Sequence, residues 1–199
     1  MKPIEEIRKI FSSHGGMLRT SELSRARIYY KDIQLLIEQG VIEKIRTGYY
    51  QWMDQDNLSE IIVLQRLFPD AILCLESALH YYGYSDRIPL RWTLAVSKDS
   101  PKSRFKIDFP FVKTYYVEPS LLELGLTTGV IDGQVVRIYD RERTICDCLR
   151  YLNKMDKEIF NKAIRAYVDD SKKDITHLIE YAKLLRVQSK VKNLIGVWI

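Results

Sequence analysis

The residues able to do acid–base, nucleophilic or metal chemistry are few and scattered. Histidine occurs at positions 14, 80 and 177, and cysteine at 74, 146 and 148. A structural zinc site takes about four ligands, mostly paired at short spacing. Here no histidine lies beside a cysteine pair, and Cys146 and Cys148, two apart in a helical pattern, point in different directions. An odd, small number of cysteines does not make a disulfide framework. The phosphate-cradling G-x-x-x-x-G-K-S/T loop, the G-x-S-x-G elbow and H-E-x-x-H do not occur. Asp70, Glu76 and Asp108 are carboxylates of the kind a metal-dependent nuclease uses, but they form no ordered signature. The expectation is a chain that is not an enzyme and has no cofactor and no metal.

What the chain does carry is cations placed to meet a polyanion. Thirty-one Lys and Arg stand against 26 Asp and Glu, a net charge of +5. The excess is uneven: +3 over residues 1–53, −3 over 54–149 and +5 over 150–199. Basic ends of this kind concentrate polyanions nearby and speed their encounter; solvated Lys-rich helix faces produce the same arithmetic. Of the cations of the first segment, Arg25, Arg27, Lys31, Lys44 and Arg46 are the ones expected to supply most phosphate contacts. Of those of the last, Lys183, Arg186, Lys190 and Lys192 are the candidates for a second basic surface.

The elements that must position the first set are legible. Ile4, Ile7, Ile10 and Phe11 follow the spacing of an amphipathic helix that Gly15-Gly16 ends. Thr20 or Ser21 is expected to cap a short second helix with Leu23 and Ala26 buried. A third helix runs from about Tyr29 to Gln39, with Ile33, Leu36 and Ile37 as its apolar stripe. Its outer face is then Tyr30, Lys31, Gln34, Leu35 and Glu38. Val41 to Trp52 reads as a β-hairpin turning at Thr47-Gly48. Three helices and a hairpin in some fifty residues spell a winged helix-turn-helix, whose third helix enters the DNA major groove. Gln34 suits adenine, Leu35 a thymine methyl, and Lys44 and Arg46 suit phosphates. The expected DNA contacts are Thr20, Ser21, Arg25, Arg27, Tyr30, Lys31, Gln34, Lys44, Arg46 and Thr47. A helical subdomain for protein contacts is the other reading of the same pattern.

Gly15-Gly16, Thr20-Ser21-Glu22-Leu23, Ile33, Leu36-Ile37, Gly40 and Arg46-Thr47-Gly48-Tyr49-Tyr50 resemble the N-terminal domain of AbiEi-type antitoxins of bacterial toxin–antitoxin and phage-abortive-infection systems. Two further segments extend the resemblance: Glu76-Ser77-Ala78-Leu79 through Gly83, and Glu142-Arg143-Thr144 with Asp147. The sequence departs from the family in two places. Arg27-Ile28-Tyr29 replaces Gly, an apolar residue and a Ser or Thr cap, and helix three holds Gln34, Leu35, Glu38 and Gln39 where arginines are frequent. The resemblance implies an antitoxin that represses its own operon through inverted repeats in double-stranded promoter DNA. It also implies a nucleotidyltransferase-like toxin as functional partner, without a stable complex. The chain is expected to be a monomer in solution with two copies per operator.

Asp54-Gln55-Asp56-Asn57 is a polar break, drawn as the boundary between domains 1–53 and 54–199. Beyond it the pattern predicts helices at Leu58–Phe68 and Cys74–Tyr82, and strands at Trp92–Ser97 and Phe109–Val117. The second strand is an edge or bulge because of Pro110. A hairpin turns at Asp132-Gly133. Asp140 caps a helix in which Arg143 and Asp147, four apart, can pair. Ser77, Arg143 and Asp147 are candidates for contacting nucleic acid or toxin, or else a network holding the helix to the sheet. Two helices with stripes Ile159-Phe160-Ala163-Ile164-Tyr167 and Ile175-Leu178-Ile179-Ala182-Leu185 end the chain, the latter capped by Asp174. The fold class is α+β: a winged helix-turn-helix followed by a mixed sheet with a helical C-terminus. No uncharged apolar run approaches the roughly 18 residues of a membrane span, and no signal-peptide core follows Met1. A cytoplasmic protein with no membrane association is therefore expected. The alternative function, a ligand-responsive winged-helix regulator without a toxin, requires an apolar pocket in 54–199.

Overall fold

The computed structural model describes residues 2–53 and 59–196. The expected polar break at 54–57, and Leu58 with it, lie outside the described residues. The described chain mixes α-helices with two β-sheets and divides into two units: residues up to Leu67 with Ile107–Pro110, and Phe68–Lys106 with Phe111 onward.

In the first unit, α1 (Ile4–Ser13) buries Ile7 and Phe11, one turn apart, while Ile4 stays exposed. Gly15 and Gly16 both take positive φ, which lets the Gly16 N–H reach the Phe11 carbonyl at 2.8 Å and close the helix. A strand that the sequence reading missed follows, β1 (Met17–Arg19), then α2 (Thr20–Arg25) and α3 (Tyr30–Glu38). Neither Thr20 nor Ser21 caps α2, because both lie inside its first turn. Arg19 holds the cap position, and its N–H donates to the Glu22 carboxylate at 2.7 Å. The Ser or Thr missing before α3 is compensated in the same way: Asp32 accepts from the Tyr29 N–H at 3.0 Å. The hairpin is β2 (Ile42–Arg46) and β3 (Tyr49–Trp52), with a bulge between Lys44 and Arg46. The sheet is antiparallel in the order β1-β3-β2. The core gathers Ile7, Phe11, Leu18, Leu23, Ile28, Ile33, Leu36, Ile42, Tyr50 and Trp52. The helix expected at Leu58–Phe68 is α4 (Glu60–Leu67). It belongs to this unit: Arg66 donates to the His14 carbonyl at 2.6 Å and to Glu22 at 3.1 Å.

The second unit holds a five-stranded mixed sheet. Its strands are β4 (Ile72–Leu73), β5 (Trp92–Ser97), β6 (Val112–Val117), β7 (Leu126–Ile131) and β8 (Gln134–Tyr139), in the order β6-β5-β4-β8-β7. β6 starts three residues later than expected and lies at an edge, as Pro110 suggested. β4, only two residues long, had no alternation to reveal it. Asp132 and Gly133 both have positive φ, the conformation a two-residue hairpin turn requires. The helices are α5 (Leu75–Tyr81), α6 (Pro119–Leu122), α7 (Arg141–Arg150), α8 (Lys157–Asp169), α9 (Ile175–Leu184) and α10 (Gln188–Leu194). Asp140 caps α7, its carboxylate accepting the Arg143 N–H at 2.7 Å, and Asp174 caps α9 through the His177 N–H at 3.0 Å. α7 is buried from Glu142 to Leu149. Of the two predicted stripes, Phe160, Ala163, Ile164, Tyr167, Leu178, Ala182 and Leu185 are core, whereas Ile179 is exposed. Among the described residues no helix is long and apolar enough to cross a membrane.

Candidate nucleic-acid interface

The first unit presents the expected cations and polar groups on its surface. Tyr30 at the start of α3 is 74% exposed, Lys31 and Leu35 are exposed on the same helix, and Gln34 is half-buried beside them. The opposite face of α3 is spent on the core through Ile33 and Leu36, so the outer face is the one left to meet a partner. Thr20, Ser21 and Arg25 on α2 are exposed as well. Arg27, in the turn between α2 and α3, is exposed with φ of 60°. That left-handed residue lets the Ile28 N–H return to the Leu23 carbonyl at 2.9 Å and seats Ile28 in the core. Arg27 stands at the position where the resemblance expects glycine, and its φ lies in the left-handed region that glycine favours.

Lys44 and Thr47 are exposed on the hairpin, and Arg46 is half-buried with its guanidinium 4.6 Å from the centre of the Tyr49 ring. Arg19 approaches the same ring at 5.2 Å. Sequence reasoning missed both Arg19 and Tyr49. Arg19 sits in a three-residue strand too short to show alternation, and only the sheet register brings it to the hairpin.

The second-unit candidates are placed differently. Ser77 is buried, and its amide and hydroxyl exchange hydrogen bonds with Thr93 at 2.9 and 2.8 Å, which locks α5 to β5. Arg143 has no exposed surface. Its Nε donates to Asp147 at 3.1 Å, and its Nη1 donates to the Leu121 and Leu124 carbonyls at 2.8 and 2.9 Å. The guanidinium lies 4.2 Å from the Tyr139 ring centre. Burial pushes the Asp147 carboxyl up, and the adjacent Arg143 charge opposes that push. This is the geometry of a network that holds α7 in place, with no surface left for a partner. Gly125 permits it, since a Cβ there would come within 2.4 Å of the Arg143 Cβ.

Lys183, Arg186 and Lys192 are exposed, whereas Lys190 is half-buried and donates to the Leu149 carbonyl at 2.7 Å. Three of the four predicted cations therefore remain open to a polyanion, and the fourth clasps α10 to the end of α7. All three cysteines are buried, and burial pushes the Cys146 thiol up to about 12. Asp70 is bound by both arms of Arg104, whose hydrogen bonds hold its carboxyl below the usual range. Among the described residues no group of three or more His, Cys, Asp or Glu is placed to hold a metal ion.

A polar cleft of about 470 Å³ that the sequence did not announce is lined by Tyr81, Tyr82, Thr127, Thr128, Asp140 and Arg141. Arg141 stacks 4.6 Å from the Tyr82 ring centre and donates to Asp170 at 2.9 Å. The Tyr84 hydroxyl donates to that same carboxylate at 2.6 Å and is the chief cause of its lowered pKa. Burial raises Asp140, against the hydrogen bonds from the Arg143 N–H and the Tyr181 hydroxyl.

No protein-family model and no curated protein matches the chain.

Proposed function

We propose that this chain is a winged-helix DNA-binding antitoxin. It represses its own operon by binding inverted repeats in promoter DNA, and it counters a nucleotidyltransferase-like toxin without forming a stable complex. The observation that carries the DNA-binding half is the first unit's surface: an α3 face of Tyr30, Lys31, Gln34 and Leu35, with a hairpin bearing Lys44 and Arg46 in the same unit. A major groove about 12 Å wide admits one α-helix, and cations on a neighbouring hairpin meet the phosphates beside it. Phosphate contacts release counterions, so affinity falls steeply with salt. The antitoxin half is supported by the resemblance of the Gly15–Tyr50, Glu76–Gly83 and Glu142–Asp147 segments.

A gel shift with the DNA upstream of the gene tests the first half. The intact chain retards it, and Lys44→Ala with Arg46→Ala weakens the retardation; unchanged binding by that double variant removes the hairpin from the interface. Co-expression with the neighbouring gene product tests the second half, by restored growth when that product is a nucleotidyltransferase.

One observation favours a second reading, a ligand-responsive winged-helix regulator without a toxin. A groove of about 510 Å³ on α8 is lined by Phe160, Ile164, Val168 and Leu194, with Asn161, Arg165 and Asp169 at its polar side. A small apolar molecule that raises the melting temperature and releases the DNA would establish that reading.

A further inference from the structure

β7 is an edge strand of the second unit's sheet, and one wall of the polar cleft is built on it. The two-residue turn at Asp132-Gly133 makes Ile131–Gln134 a hydrogen-bonded pair, and with it Gly129–Val136 and Thr127–Ile138. The N–H groups of Thr128 and Val130 therefore point away from β8, to the open edge of the sheet. Two bonds agree with that phase. The Val130 N–H donates to the Tyr81 hydroxyl at 3.3 Å, and the Asp140 N–H donates to the Gly125 carbonyl at 2.7 Å. Gly129 makes room for Tyr81, since a Cβ there would come within 2.8 Å of the tyrosine's Cζ and 2.9 Å of its oxygen. Thr127, two residues along, projects from the same face as Gly129, so its side chain stands on the tyrosine's side of the strand.

The other wall is the start of α7. Arg141 stacks on Tyr82 and donates from its Nε to Asp170, which the Tyr84 hydroxyl and the Lys172 N–H also engage. A guanidinium has further donors on its Nη atoms, and among the described residues these have no hydrogen-bond partner. The cleft draws on those open donors, not on an unpaired charge. The Tyr81 oxygen accepts from Val130 and keeps its own proton to give. The Thr127 hydroxyl and the Thr128 N–H have no partner among the described residues either. The acid in the lining is Asp140. Its two oxygens accept from the Arg143 N–H and the Tyr181 hydroxyl, and each has acceptor capacity left. The cleft therefore offers donors from both walls and one carboxylate acceptor.

The geometry points to a binding site for a small phosphomonoester with a hydroxylated body, a sugar phosphate in its simplest form. The planar fork of Arg141 matches phosphate oxygens. The Tyr81 and Thr127 hydroxyls and the Thr128 N–H complete the donor set, and a ligand hydroxyl donates to Asp140. The volume of about 470 Å³ lies within the roughly 300–1,000 Å³ of small-molecule sites. All six lining residues belong to the second unit, so the site does not depend on the DNA-binding reading of the first.

Isothermal titration calorimetry of the full chain with ribose 5-phosphate, ribose and inorganic phosphate tests the site. Ribose 5-phosphate is expected to bind about tenfold more tightly than either of the others, the worth of one charge-assisted hydrogen bond. Arg141→Lys, which keeps a charge beside Asp170 and loses the fork, is expected to weaken ribose 5-phosphate about tenfold. Tyr81→Phe, which removes only the hydroxyl, is expected to weaken it about threefold. Circular-dichroism melts verify folding; should Arg141→Lys not fold, Tyr81→Phe and Thr127→Val decide. Parental affinity in the folded variants overturns the site, as does a chain that binds none of the three compounds. Equal affinity for ribose or for inorganic phosphate overturns the phosphomonoester assignment.

Discussion

Arg27 and Arg143 are two arginines with opposite physical roles. Arg27 is exposed and holds a left-handed backbone, which costs a non-glycine residue about 1–2 kcal/mol. Glycine removes that cost and returns part of it as extra freedom in the unfolded chain. Arg27→Gly is expected to stabilise the protein by about 0.5–1 kcal/mol in urea titrations, the net of those two terms; a loss of stability would mean that the side chain, not the backbone, matters there. Arg143 is buried with Asp147, and removing one member of such a pair leaves the other charge uncompensated. Arg143→Met is expected to cost about 3–5 kcal/mol. Arg143→Met with Asp147→Leu recovers only part of that, because the Leu121 and Leu124 carbonyls still lose their donor. If the double variant is no better than the single in denaturant melts, the pair is not coupled as drawn.

At the scale of elements, α7 carries its own pH dependence. Burial raises the folded-state pKa of its capping residue, Asp140. The folded protein then holds that proton more readily than the unfolded chain does. Stability from this group is therefore greatest in acid and is lost as pH rises through the folded-state pKa, above the usual aspartate range. Asn caps helices as well as Asp does and has no proton to lose. Asp140→Asn is expected to flatten the stability–pH curve in that window and to be at least as stable as the parent at neutral pH, by urea titration at a series of pH values. A steeper curve would show that the hydrogen bonds from Arg143 and Tyr181 outweigh the burial. The elements themselves were readable to the extent that they were long and periodic. α3, the β2–β3 hairpin, the Asp132-Gly133 turn, and the Asp140 and Asp174 caps stand where their residues place them. β1 and β4, of three and two residues, were not readable, because strands so short have no alternation and exist only through their partners. The cap of α2 was misread, and the substitute cap of α3 was not foreseen, for a related reason. Glu22 and Asp32 reach back from inside the helix, and local sequence does not separate that from a serine or threonine cap.

At the scale of the whole molecule, two units with separate cores predict separable functions. Arg25→Ala with Lys44→Ala is expected to lower DNA retardation without altering the melt of the second unit. Arg143→Met is expected to lower that melt while any growth rescue falls in proportion to folded protein. Loss of rescue with a fully folded second unit would require a direct role for that site. The sequence by itself determined the α+β class, the three helices and hairpin of the first fifty residues and the uneven charge, because periodicity, turn chemistry and charge are local or additive properties. Tertiary structure alone decided which charges are available. It buried Arg143, spent Lys190 on a helix end, bound Asp70 to Arg104, and brought Arg19 and Arg46 to one tyrosine across three strands. Whether a charge faces water, a carbonyl or a ring depends on what distant segments place beside it, and that pairing is written in no single stretch of the chain.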